Sequence, residues 1–440
     1  MRKILSGRRG SGRGSFKMKV NTGITPQYGF QPPSNTNQFY FPIFDGSDML
    51  GYTINFTIDW GDGQTSNVNS LNYATACLHT YSSPNIYTIS AEGNIAGFNF
   101  WNVAIPASGA GKSDGNKIIE ILQWGDLKLT GGNNASQGQI FRNCVNLTTI
   151  SASDTPWFPL NSNGSTLSSR GGRGTFSGCS GLVTINNIAN WDVSRLNALQ
   201  IMFSSCGKFQ FGTNAGGTID FSNWDVSRSQ QFERMFNGCQ AMNAKMFSNV
   251  GANVSIIQSM KSMFSNCSVF NNGNSGTMNS WDTSKVQIME YMFDGCTIFN
   301  DNITSWDTSS VTRMREMFQD ATAFNQNISS WNTASVNDMR NMFTDATAFD
   351  QPIGNWNVNA WSQVGIGNTP LTGPSTTFTL STANYNALLL AWDAAYSFPS
   401  WPGGTVDFGN SQYSLGDPAV VAARASLVNK WGTLNDGGGI

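Results

Sequence analysis

The sequence predicts a multidomain α+β chain: a β-rich N-terminal third, a solenoid of about eight repeat units, and a small C-terminal helical cap. Three observations carry this expectation. Short β-type runs separated by turn residues fill 37–105. A Phe-x-x-Cys or Phe-x-x-Ala element then recurs eight times at near-regular spacing. Two helix-like segments, Asn384 to Trp392 and Ala419 to Lys430, close the chain. The domain boundaries read as 1–36 for a basic Gly-rich extended arm, 37–105, 106–365 and 366–440.

The arm comes first. Seven of the chain's 25 basic residues fall within 1–19: Arg2, Lys3, Arg8, Arg9, Arg13, Lys17 and Lys19. The first acidic residue is Asp45, and the chain beyond residue 19 carries 18 basic and 27 acidic residues. A run such as SGRRGSGRG is too rich in glycine and charge to bury a core. These seven residues are the candidate docking positions for a partner. The body is net acidic, so nucleic acid is not an expected partner of it.

In 37–105, Thr53 to Ile58, Ile86 to Ile89 and Phe98 to Ile105 read as strands, with Asp59-Trp60-Gly61-Asp62-Gly63 as a turn. His79 is the only histidine. It lies beside Tyr81 and reads as structural, as do Asp59 and Asp62.

The repeats follow. Phe141, Phe176, Phe203, Phe236, Phe264, Phe293, Phe318 and Phe343 are separated by 35, 27, 33, 28, 29, 25 and 25 residues. Cys occupies the slot three residues later in six units (Cys144, Cys179, Cys206, Cys239, Cys267, Cys296), and Ala321 and Ala346 fill it in the last two. A slot that accepts either residue asks for a small buried side chain. The cysteines are therefore not a disulfide framework, and a single histidine with no Cys-x-x-Cys pair argues against a metal site. Trp191, Trp224, Trp281, Trp306 and Trp331 each precede their Phe by 12 residues. In the unit from Trp306 to Ile328, Val311, Met314, Met317, Phe318, Ala321 and Phe324 recur at three- and four-residue steps, which predicts a short helix per unit. Asp307 and Ser309 stand where its N-cap belongs. Helices this short need neighbours against which to bury their apolar face, and that predicts the solenoid.

Phe141-x-x-Cys144-x-x-Leu147-x-x-Ile150 and Phe176-x-x-Cys179-x-x-Leu182-x-x-Ile185 resemble the BspA-type leucine-rich repeat. The Trp-Asp-x-Ser form from 281 to 349 is similar to the subclass found in bacterial surface lipoproteins. Ala252 departs from it, standing where Trp is expected. The C-terminal segment resembles the cap that follows such arrays. Asp59-Trp60-Gly61-Asp62-Gly63 with His79 and Tyr81 resembles the PKD-type immunoglobulin-like sandwich, which implies a spacer or adhesion module.

Several classes are argued against. Gly109-Ala-Gly-Lys-Ser113 has Pro106 where a P-loop needs glycine, and no helix-forming run follows. One histidine cannot supply a Ser-His-Asp constellation. No catalytic residue, cofactor or metal is expected, and no run approaches the roughly 20 apolar residues of a membrane span. The N-terminus lacks the apolar core of a secretory signal. The expected role is that of a non-enzymatic virion protein of a phage or virus. It would dock onto other capsid or tail proteins through the basic arm, in multiple copies, and offer its repeats to a host glycan or protein. A bacterial cell-surface adhesin is the alternative.

Overall fold

The computed structural model describes residues 13–24, 36–43, 54–95, 97–100, 114–129, 138–158, 172–210, 219–248, 257–358, 378–395 and 404–440. It divides into two units, Met1–Leu196 with Phe211–Gly217, and Asn197–Gln210 with Thr218–Ile440. In chain order the first unit holds β1 (Phe16–Asn21), β2 (Gln38–Tyr40), β3 (Asn55–Asp59), β4 (Thr65–Asn69), the single turn α1 (Tyr73–Ala76), β5 (Leu78–Thr80), β6 (Ile86–Asn94), β7 (Ile118–Gln123), β8 (Thr149–Ile150) and β9 (Thr184–Ile185).

Phe16-Lys-Met-Lys-Val20 alternates apolar and basic residues, the period of a half-buried strand. Phe16, Met18 and Val20 are buried, while Lys17 and Lys19 lie on the other face. β1 sits inside a seven-stranded mixed sheet of order β4-β3-β6-β1-β7-β8-β9. It pairs antiparallel with both β6 and β7. β7, β8 and β9 run parallel, so that Ile121, Ile150 and Ile185 lie side by side. β2 and β5 form a separate antiparallel pair.

The expected fold class is corrected here. The N-terminal strands do not close a separate immunoglobulin-like sandwich over 37–105. β3, β4 and β6 share one mixed sheet with β1, from the expected arm, and with β7 to β9, from the expected repeats, while β2 and β5 pair apart. β1 lies within 1–36 and β7 to β9 within 106–365, so the sheet draws strands from three of the expected segments, and the alternation of 16–20 brings β1 into it. The arm of 1–36 is thus a strand over part of its length. Arg2, Lys3, Arg8 and Arg9, together with Gly109 to Ser113, lie outside the described residues.

The helix expected in each unit is also absent. Among the described residues between 77 and 381 there is no α-helix, so a helix-bearing leucine-rich-repeat solenoid is not formed. Two positions per unit explain why. From the second unit onward, the residue two before the core Phe is left-handed, as at Ser262 (φ 55°), Tyr291 (φ 58°), Glu316 (φ 54°) and Asn341 (φ 57°). The residue two after it is too, as at Asn266 (φ 59°), Gly295 (φ 70°), Asp320 (φ 57°) and Asp345 (φ 56°). A right-handed helix cannot pass through either. The chain instead makes tight turns, with Met263 N–H on Met260 O (3.2 Å) and Cys267 N–H on Phe264 O (3.0 Å). Alternate N–H groups point to the next unit: Ser262 to Glu290 O (2.9 Å), Phe264 to Met292 O (3.0 Å), Asn266 to Asp294 O (2.6 Å).

In the second unit these turns stack. Ala198, Gln231, Ser259, Ile288, Arg313 and Asp338 are joined by successive parallel bridges. The rings of Phe203, Phe236, Phe264, Phe293, Phe318 and Phe343 form a column with centroids 5.6–5.8 Å apart and planes within 8°. Phe270, Phe299, Phe324 and Phe349 form a second column at 5.9–6.0 Å. All are fully buried, each contributing about 2–3 kcal/mol of transfer free energy. The seven cysteines are free and buried. Thiols make a bond that the small-residue reading did not foresee: those of Cys239, Cys267 and Cys296 donate to the carbonyls of Phe203, Phe236 and Phe264, and in the first unit Cys179 donates to Phe141 (3.0–3.1 Å).

The C-terminus carries α2 (Thr382–Ala395), β10 (Gly404–Asp407), α3 (Pro418–Trp431) and β11 (Gly432–Asn435), with β10 and β11 parallel. Asp417 caps α3, accepting from the N–H groups of Ala419 and Val420. Phe378 stacks on Phe343 (6.0 Å). The Ser381 N–H donates to Asp350 Oδ1 (2.8 Å). That bond continues a side-chain ladder in which Asn243, Asn271, Asn300 and Asn325 each accept, through Oδ1, the N–H of the equivalent residue one unit on, at 2.8–3.0 Å.

Candidate interaction face

Charged residues make up only 12% of the chain, yet one face of the second unit gathers them. The face follows from the turn register. Residues two, three and five before the core Phe point away from the aromatic columns, and in successive units these positions include Lys261, Glu290, Tyr291, Arg313, Arg315, Glu316, Asp338 and Arg340. Lys261 Nζ lies 2.5 Å from Glu290 Oε2, and Arg313 Nη1 lies 3.9 Å from Glu290 Oε1. Arg315 Nε donates to Glu316 Oε1 (2.9 Å). Arg340 grips Asp338 through Nε (2.9 Å) and Nη2 (2.7 Å), a bidentate pair.

The two signs are not equally exposed. The carboxylate side chains of Glu290, Glu316 and Asp338 are 8–13% accessible, whereas Lys261, Arg313, Arg315 and Arg340 are 35–54% accessible. The acids lie beneath and the cations lie outward. Tyr291 sits among them, its ring centroid 5.5 Å from Lys261 Nζ and 5.6 Å from Arg315 Cζ, within cation–π range. Burial, then Glu316, raises the Tyr291 phenol, with Arg315 and Lys261 opposing. Burial works to raise Asp338, but hydrogen bonds from Arg340 outweigh it and hold the carboxyl low. Arg340 is raised in return, chiefly by that same bond. Nearby Asp294 is pushed up to about 6 by burial, with the Ser265 hydroxyl opposing and Asp320 and Glu316 adding repulsion.

The structure places three of the seven candidate docking residues, and none of the three is on a free arm. Arg13 Nη1 donates to Thr155 O (3.3 Å) and its guanidinium lies over Trp157. Lys19 pairs with Glu120 (2.7 Å). Lys17 stands in register between Ser90 and Gln123. The candidate motif of the N-terminal third forms a cluster. Trp60 stacks on His79 (4.8 Å), His79 Nε2 meets Asp62 Oδ2 (2.8 Å), and the Tyr81 hydroxyl donates to Trp60 O (3.1 Å). Burial pushes the Asp62 carboxyl up, but the hydrogen bonds from His79 and the Gln64 N–H hold it below its usual value. Each of these side chains is occupied in holding the Asp59–Gly63 turn against β5. Among the described residues no group of three or more His, Cys, Asp or Glu is placed to hold a metal ion, and no helix is long and apolar enough to cross a membrane.

Residues 173–277 and 272–366 match a family described as "Mycoplasma protein of unknown function, DUF285", a family of BspA-like repeats. Over that span, which holds the whole charged face, the chain is similar to that family. Neither the immunoglobulin-like resemblance of 37–105 nor a viral origin finds support in the match. No curated protein and no solved structure matches the chain.

Proposed function

We propose that the protein is a non-enzymatic structural or surface protein that binds an acidic partner through the face around Tyr291. The observation that carries this reading is the layering of charge on that face. Four outward cations and a half-exposed tyrosine lie over three nearly buried carboxylates. An ion pair with one partner underneath keeps its cation fixed and still available to an outer ligand. Arginine with tyrosine is also the pairing enriched at interface centres. A virion component contacting neighbouring capsid or tail proteins, or a host glycan, fits this reading. A bacterial cell-surface adhesin fits it as well, and the Mycoplasma description of the matched family favours that second setting.

The test is charge reversal of Arg313, Arg315 and Arg340 to Glu in the full chain. Binding to purified virions and to bacterial envelope fractions is measured at increasing salt. Wild-type binding to one fraction that weakens with salt, and is lost in the variant with an unchanged circular dichroism spectrum, is the expected result. Equal binding by both proteins would overturn the assignment of this face.

A further inference from the structure

We propose that Asn94 and Lys128, in the first unit, are the partners of an intramolecular amide cross-link formed between their side chains. The geometry begins with two backbones held side by side. Asn94 is the last residue of β6, opposite Asn55 of β3. The turn Trp124–Leu127, closed by Leu127 N–H on Trp124 O (3.1 Å), returns the chain so that the Lys128 N–H donates to Ile95 O (3.3 Å). On its other side this segment is fixed by a parallel bridge from Lys128 to Trp157 and by Leu129 N–H on Trp157 O (3.0 Å). The lysine side chain therefore has little freedom. Its Nζ donates to Asn94 Oδ1, the oxygen of a neutral amide, and lies 5.4 Å from the Trp157 ring centroid.

A lysine in water gains nothing from such a setting, because its ammonium would be fully hydrated. Lys128 is instead buried, with 7% of its surface accessible. Burial lowers its pKa, and Asp126, acting on its charge, only partly offsets this. Desolvation thus raises the share of neutral amine, the form that is a nucleophile. The electrophile is held beside it, since Oδ1, the atom that Nζ contacts, is bonded to Cγ of the same amide. Fixed approach of two such groups replaces a bimolecular encounter by an intramolecular one.

The reaction balances without an outside reagent. The Lys128 ammonium loses one proton, and the Nζ lone pair attacks Cγ of Asn94. A second Nζ proton passes to Nδ2, the Cγ–Nδ2 bond breaks, and Nδ2 leaves as ammonia, which takes up the first proton as ammonium. The product is a secondary amide joining Nζ to Cγ. It closes a loop from the end of β6 to the bridged segment after β7, a restriction on the unfolded chain of the kind a disulfide imposes. Nothing in the step is oxidised or reduced, so it is independent of the seven buried thiols.

Mass spectrometry of the full chain under denaturing conditions tests this. The expected result is an intact mass lower than the sequence mass by one ammonia. Tryptic digestion should then give a branched peptide joining the segment with Asn94 to the segment with Lys128. Lys128→Arg and Asn94→Ala should each restore the full sequence mass and the two linear peptides. A wild-type chain at full sequence mass overturns the proposal. So does a deficit carried on a linear peptide, as ring closure at Asn272-Gly273 would give. If either variant fails to accumulate, the presence or absence of the branched wild-type peptide decides alone.

Discussion

At Gly295 the backbone turns left-handed (φ 70°) directly beneath the unit above it, and a Cβ built there would meet Asn266 Oδ1 at 3.1 Å and Asn266 Cα at 3.3 Å. Gly238 holds the equivalent position (φ 75°), but its nearest neighbour would be Ser205 Cα at 3.6 Å. Both pay the backbone strain of alanine, roughly 1–2 kcal/mol, and only Gly295 adds crowding. Gly295→Ala is expected to lower unfolding free energy more than Gly238→Ala, measured by urea denaturation. Beside Gly295, Asp294 acts through charge. A carboxyl raised in the folded state, here to about 6 from 3.8, contributes its stability fully below the lower value and loses it as pH rises through the upper. Asp294→Asn can still accept from Ser265 and cannot ionise. It should stabilise the protein at pH 7–8 by about 1–2 kcal/mol, after solvent screening of a half-exposed group, and the gain should vanish near pH 4. A gain that persists at pH 4 would assign the effect to packing.

Between units, two kinds of ladder differ in strength. Asn300 Oδ1 accepts from the Asn325 N–H (2.9 Å) and from Gln326 Nε2 (3.1 Å) at an exposed edge. Water replaces such bonds readily, so Asn300→Ala should cost about 0.5–1.5 kcal/mol. Phe293 is fully buried between Phe264 and Phe318, and Phe293→Ala should cost about 3–5 kcal/mol. Denaturant midpoints that reverse this order would show that the asparagine ladder, not the aromatic column, sets the stack. The contrast also shows what was legible. The Phe, Trp and Cys slots could be read because burial selects residue type at each of them. The left-handed slots were not, because Tyr291 and Glu316 occupy them as well as Gly295, and those residue types carry no turn signal. Without those slots, apolar steps of three and four residues read as a helix. β1 was missed for a similar reason: the Gly-rich run before it concealed the alternation of Phe16, Met18 and Val20. The charged face could have been found by aligning residues two, three and five before each Phe. Its layering of acids beneath cations needs the folded side chains.

Over the described residues, two sets of carboxylates are displaced in opposite directions. Asp62, Glu120, Asp307, Asp338 and Asp393 are held low by hydrogen bonds and cations against burial, which is the largest single effect in all but Asp307, where hydrogen bonds from Ser309 lead. Each contributes stability that is present above its ordinary value of 3.8 or 4.5 and is lost as pH falls through the folded value. Asp294 and Asp301 are raised by burial, and their contribution declines as pH rises, for Asp294 through about 6. Together the two groups place maximal stability between the ordinary carboxylate range and about 6. That window includes the sequence pI of about 5.5, where net charge gives least protection against association. With so few charges, self-repulsion is a small term in this chain and the individual carboxylates dominate the profile. Thermal unfolding across pH 3–9 should therefore show a midpoint that rises steeply to about pH 5 and then declines gently above about 6. In Asp294→Asn the decline should be shallower while the acid limb is unchanged. A midpoint that keeps rising to pH 8 would mean that the buried acids are compensated in the folded state, and would remove the basis for the upper limb.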